Sequence, residues 1–225
     1  MNLKIKKFLS ILSGFAFFSI LISCSPKMNF TVLNDEKIEV EFSTNFSGEF
    51  FTILQEFLSS AETATQNPQN ESLIQESDLI SIFTLAGLKD VSAKRNSDNS
   101  ISAKGIIEKV NESNFAKSKI IFKEKSSLTI SLGPEQFTSF YENLDEESQS
   151  YFDLLMIPCL NGEKLSVAEY QELLASLYGE DLAEQFVSEK FSLNLVAPNK
   201  KSAGFSITLG ELFTLDTQKN WQIKW

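Results

Sequence analysis

Residues 30–46 read FTVLNDEKIEVEFSTNF, and this stretch decides the fold that the sequence predicts. Apolar and polar residues alternate on both sides of the polar run NDEK, which is typical of a β-hairpin. After the turn, Ile38, Val40, Phe42 and Phe46 share one face of the second strand, and the residues between them are charged or small and polar. We therefore expect one face of this hairpin to be buried and the other to face water.

Several later segments show the same alternation, and segments with helical spacing lie between them. Two more hairpins are predicted, VSAKR with SISAKGIIEKV and KIIF with SLTISL, and three strands follow at residues 191–195, 205–209 and 221–225. Helical spacing occurs in residues 50–58 and in ESDLISIFTLAGL, EESQSYFDLLM, SVAEYQELLASLY and EDLAEQFVSEKF. Gly87 and Gly179 are suited to end two of these helices, Pro134 to begin another, and Ser166 with Glu169 to form a capping box.

Amphipathic strands joined by short turns favour an antiparallel sheet over a parallel doubly wound sheet. A parallel doubly wound sheet would need strands that are apolar throughout, whereas these strands have one polar face. The sequence thus predicts a single α+β domain over residues 29–225, an antiparallel sheet of hairpins with helices packed on one face.

The amino terminus has the features of an export signal. Lys4, Lys6 and Lys7 precede an apolar stretch over residues 8–22, which ends at a small residue. That stretch is shorter than the roughly 18 to 20 apolar residues that a helix needs to cross a bilayer, which disfavours a permanent transmembrane helix.

The residues Leu21-Ile22-Ser23-Cys24 resemble the lipobox of bacterial lipoproteins, in which two aliphatic residues and a small one precede a cysteine. The resemblance implies that residues 1–23 are a signal peptide, cleaved between Ser23 and Cys24. It also implies that Cys24 carries a diacylglyceryl group on sulfur and a fatty acyl group such as palmitate on its amine. The alternative is that Cys24 is a core thiol after an ordinary signal peptide.

A lipidated Cys24 would place the domain close to a membrane. Residues 24–28 would form the tether if the first strand begins near Asn29, and the four residues after the cysteine span at most ~14 Å. The expected location is the bacterial cell envelope, outside the cytoplasm and anchored by lipid.

Composition excludes several classes of function. Cleavage would remove three of the 20 basic residues and none of the 30 acidic ones, which changes the formal net charge from −10 to −13. A chain this acidic, without a basic stripe, repels phosphate backbones, so no nucleic-acid partner is expected. The chain has no histidine, which removes Ser-His-Asp and Cys-His catalysis and the commonest zinc ligand.

No catalytic, cofactor-binding or metal-binding residue is predicted. Cys159 lies in the apolar stretch LLMIPCLNG and is interpreted as a buried core thiol. Neither a phosphate-binding loop nor a dinucleotide fingerprint occurs. A carboxylate-based hydrolase is a remote alternative, whose candidate residues are Asp35 with Glu36, Asp145 with Glu146 and Glu147, and Glu180 with Asp181. Their positions at turns and helix starts indicate surface acids instead.

Two functional hypotheses remain, both non-enzymatic. The first is an envelope lipoprotein that binds a protein or structural partner close to the membrane. The second is a carrier or sensor of a lipid or another hydrophobic ligand, because 20 phenylalanines could line an apolar cavity between sheet and helices. The hairpin start, the FSLNLVAP strand and a last strand with tryptophan resemble the layout of LppM-like envelope lipoproteins, which implies a lipid-related role but no particular site residue.

Overall fold

The computed structural model describes residues 26–45, 75–97, 100–142 and 164–225. Nine strands and six α-helices lie within these ranges, together with a short 3-10 helix at Val110–Glu112. The strands are β1 Lys27–Val32, β2 Ile38–Asn45, β3 Lys89–Ser97, β4 Ser100–Ile107, β5 Ile121–Glu124, β6 Ser127–Leu132, β7 Lys190–Val196, β8 Ser202–Thr208 and β9 Lys219–Lys224. The helices are α1 Glu76–Leu85, α2 Asn114–Lys117, α3 Pro134–Glu142, α4 Val167–Tyr178, α5 Glu180–Ser188 and α6 Leu209–Phe213. The predicted α+β class is confirmed.

The larger sheet has six strands in the order β3-β4-β2-β1-β7-β8. Each neighbouring pair is antiparallel except β1 and β7, which are parallel and align Phe30 with Leu195. We call the end of this sheet at which β1 begins the proximal end, and the opposite end, at the turn after β1, the distal end. Strands β1, β4 and β7 start at the proximal end, and β2, β3 and β8 finish there.

The first hairpin confirms the predicted alternation. Ile38, Val40, Phe42 and Thr44 of β2 are buried, and the residues between them are partly or fully exposed. Other strands continue this buried face across the sheet. Their buried residues include Ile101 on β4, Phe30 on β1, Leu193 on β7 and Ile207 on β8. Helix α1 covers part of this face, since the rings of Phe42 and Phe83 lie 6.5 Å apart.

The strands β5, β6 and β9 form a second, three-stranded antiparallel sheet that the sequence did not predict as separate. Its inward residues, such as Leu128, Ile130 and Trp221, belong to the same buried cluster as those of the larger sheet. Polar contacts join it to the distal end: the Lys201 Nζ donates to the Lys224 carbonyl oxygen at 2.9 Å. Val110 begins the 3-10 helix that follows β4 and contacts β5, and its backbone N–H donates to the Glu36 carbonyl oxygen at 2.9 Å.

The helix boundaries predicted at Gly87, Pro134, Ser166 and Gly179 are confirmed. The helix predicted in EDLAEQFVSEKF is shorter than expected, because it ends at Ser188 and its last two residues belong to β7. Helix α1 closes at Gly87, whose φ of 91° lies in the region that favours glycine, and Leu88 N–H donates to the Phe83 carbonyl oxygen at 3.0 Å. Helix α3 begins at Pro134, and the capping box of Ser166 with Glu169 begins α4. The helices predicted at residues 50–58 and in EESQSYFDLLM lie outside the described residues, as do Phe46 and Cys159.

One predicted strand is wrong at its end. Residues 205–209 were expected to form a strand, but β8 ends at Thr208 and Leu209 begins helix α6. The side-chain oxygen of Thr208 accepts from Glu211 N–H at 3.1 Å, and the Glu211 carboxylate accepts from Thr208 N–H at 3.1 Å. This reciprocal capping box starts a helix at a position where apolar alternation alone predicts a strand.

Helix α6 packs closely through Gly210, which leads to a prediction. A Cβ at this position would lie 2.9 Å from the Val187 carbonyl oxygen and 2.8 Å from the Val167 Cγ1. Helix propensity favours alanine over glycine by roughly 1 kcal/mol, but overpacking costs about 1–3 kcal/mol, so Gly210→Ala is expected to destabilise the fold. A Cβ at Gly204, in β8, would meet nothing within 4 Å, so Gly204→Ala is the matched control. Urea unfolding compares the two variants, and equal midpoints would contradict this packing.

Candidate functional site

The residue next to the predicted anchor that the structure describes is Pro26, and it is buried. Its carbonyl oxygen accepts a hydrogen bond from the backbone N–H of Ser192 in β7 at 2.8 Å. Strand β1 then begins at Lys27, two residues before the Asn29 start that the sequence predicted. The predicted lipidation and cleavage residues, Cys24 and Ser23, lie outside the described residues.

This early start shortens the predicted tether. One residue, Ser25, separates Cys24 from Pro26, so the Cα atoms of Cys24 and Pro26 lie at most about 7.6 Å apart. The sequence alone allowed four residues and ~14 Å, because Pro26 and Lys27 carry no signal that they already belong to the sheet. The domain is therefore fixed almost directly to residue 24.

The acidic residues considered for hydrolysis do not converge where the structure describes them. Asp35 and Glu36 lie in the turn between β1 and β2, where Asn34 Oδ1 accepts the backbone N–H of Glu36 at 2.9 Å. Glu180 and Asp181 begin helix α5, where negative charge favours the helix dipole. Residues 145–147 lie outside the described ranges. Within those ranges, no three His, Cys, Asp or Glu side chains come together as they would around a metal ion.

Each carboxylate with a perturbed pKa in the described part of the chain is shifted towards the ionised form. The hydrogen bond from Lys37 Nζ to Glu108 Oε1, at 2.6 Å, lowers the pKa of Glu108 and raises the pKa of Lys37. The hydrogen bond from Ser166 N–H lowers the pKa of Glu169, and that from Thr208 N–H lowers the pKa of Glu211. The causes are two helix caps and one surface ion pair, which are structural features.

Burial perturbs the pKa of one tyrosine in the described part of the chain. It raises the pKa of the Tyr178 hydroxyl, at the end of helix α4. A tyrosine with a raised pKa stays neutral at physiological pH and can act there as a hydrogen-bond donor.

A shallow groove of about 360 Å³ lies on the water-facing side of the larger sheet. It follows β1, β7 and β8, and its polar lining includes Lys27, Asn29, Asn194 and Ser206. The absence of a side chain at Gly204 helps to open it, because no other atom fills the space of a Cβ there. This groove differs in position and lining from the apolar cavity between sheet and helices that the hydrophobic-ligand hypothesis predicts.

Sequence reasoning missed the buried lysine of β5. Lys123 has 2% of its side chain exposed, and its Nζ lies 3.6 Å from Asp35 Oδ1 and 5.7 Å from the centre of the Trp225 ring. It also donates to the Glu124 carbonyl oxygen at 3.3 Å. The sequence predicts a turn at residues 123–126, between the strands KIIF and SLTISL. Lys123 nevertheless lies two residues after Ile121, which is the spacing that points both side chains to the buried face. Lys123 thus joins the second sheet to the distal turn.

Four large apolar side chains in the described ranges are exposed, on different parts of the surface: Leu33, Ile80, Phe122 and Leu177. Phe122 of β5 exposes 59% of its surface, on the opposite face of its strand from Lys123. Leu177, near the end of α4, exposes 47%. None of the helices in the described ranges is long and apolar enough to cross a membrane.

Comparisons with protein-family models, with curated proteins and with solved structures give no match to this chain. Functional argument therefore depends on the residues of this chain alone.

Proposed function

We propose that this protein is a lipid-anchored lipoprotein of a bacterial envelope, which binds a protein or structural partner close to the membrane without catalysing a reaction. The observation that carries the proposal is the position of the lipobox. Cys24 follows an apolar segment too short to span a bilayer, and it precedes Pro26, the buried residue at which the described part of the chain begins, by two positions. An acyl group on this cysteine brings the folded domain to the membrane surface with almost no spacer.

The exposed Phe122 supports a partner rather than a soluble ligand. A phenylalanine buries a large apolar area when a partner covers it, and aromatic residues are enriched at the centres of protein interfaces. Phe122 is flanked on the outer face of its sheet by Thr129 and Gln222, which can donate and accept hydrogen bonds at the rim of such an interface.

Photo-crosslinking in intact cells tests the proposal. A photo-reactive amino acid replaces Phe122 in the full-length protein, and a matched variant carries it at Lys104, an exposed position on the polar face of β4. We expect the Phe122 variant to form one reproducible adduct with an envelope component and the Lys104 variant to form none. The proposal fails if neither position forms an adduct, or if the purified protein turns over an envelope substrate and a single carboxylate substitution abolishes that activity.

A further inference from the structure

The two strands beside β1 extend past it at the proximal end. Lys27 is level with Ser43 of β2 and Ser192 of β7, and each of those strands continues for two more residues, to Asn45 and Lys190. Two strand residues correspond to roughly 7 Å. The start of β1 is therefore set back between its neighbours.

This setback limits how far the anchor can reach. Cys24 lies three residues before Lys27, so its Cα is at most about 11 Å from that of Lys27 even in a fully extended chain. The flanking strand ends take up roughly 7 Å of this reach, so Cys24 can extend beyond them by about 4–5 Å. The headgroup layer on each side of a bilayer is itself about 5–7 Å thick.

We propose that the proximal end of the six-stranded sheet lies against the phospholipid headgroup layer, with the strands pointing away from the membrane. This inference rests on the proposed lipidation of Cys24. The acyl chains must lie in the hydrocarbon region, so a reach of a few ångströms beyond the strand ends keeps those ends close against the headgroup layer.

The side chains at the proximal end are suited to headgroups rather than to hydrocarbon. Asn45, Ser97, Ser100 and Thr208 are uncharged hydrogen-bonding residues that stand at the strand ends. Charges of both signs accompany them, among them Lys27, Lys190, Glu76 and Glu189. This mixed set of charges offers no basic patch for anionic lipid, and the net charge of the chain is negative, so the contact is predicted to be no closer on anionic than on neutral vesicles.

The alternative in which the sheet lies flat on the membrane is disfavoured by the same distances. The buried face is covered by helices and by the second sheet, so the polar face would have to contact the lipid. To bring that face to the lipid, the chain from Cys24 would have to bend around the strand ends within its 4–5 Å of reach.

Fluorescence quenching by headgroup-labelled lipid tests the orientation. The full-length lipidated protein is reconstituted into phosphatidylcholine vesicles that contain a nitroxide on the lipid headgroup, with and without phosphatidylglycerol. An encoded fluorescent amino acid replaces one exposed residue at a time: Asn45 or Lys190 at the proximal end, and Glu36 or Ser202 at the distal end. The eight residues of β2 place the two ends roughly 25 Å apart. We expect quenching to be several-fold stronger at the proximal positions in both kinds of vesicle.

Equal quenching at the two ends, or stronger quenching at the distal end, would overturn the orientation. Mass spectrometry of the amino-terminal peptide separates this failure from that of the proposed function, because an acylated protein with equal quenching disproves the orientation alone. A protein without acyl groups disproves both.

A longer tether tests the cause of the orientation. Ten Gly-Ser residues inserted between Ser25 and Pro26 add a flexible reach of roughly 17 Å, which is comparable with the length of β1. The difference in quenching between the ends should then largely disappear. If it persisted, the short tether would be ruled out as the cause of the orientation.

Discussion

A Cys24→Ala precursor is expected to lose acyl labelling and stable association with the membrane. The lipobox resemblance makes the Cys24 sulfur the attachment point of the diacylglyceryl group, and alanine offers no atom to which it can be transferred. Each buried methylene of an acyl chain contributes ~0.8 kcal/mol, so two or three chains hold a protein on a bilayer effectively permanently, and their loss is a large effect.

The measurement is metabolic labelling with an alkyne fatty acid, followed by separation of membranes from soluble proteins. Cys159→Ala is the matched control, because it removes the other cysteine of the chain and should leave both label and location unchanged. An alanine variant at residue 24 that remained acylated and membrane-bound would show that the anchor is elsewhere, and the proposed location would then be wrong.

Tyr170→Ala is expected to cause the largest loss of stability among single substitutions in the described helices. Tyr170 is fully buried in α4, and its ring centre lies 6.4 Å from that of Phe186 in α5 and 6.3 Å from that of Phe213 in α6. It thus joins three helices. Truncation of a buried aromatic residue to alanine typically costs 3–5 kcal/mol, so we expect a loss of about 4 kcal/mol.

Urea unfolding gives the free energy, provided that the slope with denaturant stays constant. Leu177→Ala is the control in the same helix, because Leu177 is 47% exposed and surface substitutions usually change stability by roughly 0.5 kcal/mol or less. Tyr170→Phe keeps the ring and separates its packing from the contribution of the hydroxyl. Similar losses for Tyr170→Ala and Leu177→Ala would contradict the packing of these helices.

Local features of the fold could be predicted from the sequence because their signals are short-range. The β1–β2 hairpin follows from alternation around NDEK, the end of α1 from Gly87, and the start of α4 from Ser166 with Glu169. The same spacing of Thr208 and Glu211 signals the start of α6, so the error at Leu209 came from giving apolar alternation more weight than the capping box.

Long-range features could not be predicted in the same way. A period of two shows which side chains share a face but does not identify the neighbouring strand, so neither the separate three-stranded sheet nor the parallel pairing of β1 with β7 could be inferred. The same limit applies to the candidate site. Cys24 is evident from a local motif, whereas the tight attachment of Pro26 depends on Ser192, which is distant in sequence.

The parallel pairing of β1 with β7 has a consequence for the order of folding. Phe30 is level with Leu195, 165 residues later in the chain, so β1 cannot complete its hydrogen bonding on that side until most of the polypeptide is available. Contacts of such long range slow folding, and an unpaired strand edge invites association with other chains. In an exported protein the first strand crosses the membrane early and its partner crosses late. If the chain is exported as proposed, β1 should therefore be among the last parts of the sheet to become protected, and its edge stays exposed until β7 arrives.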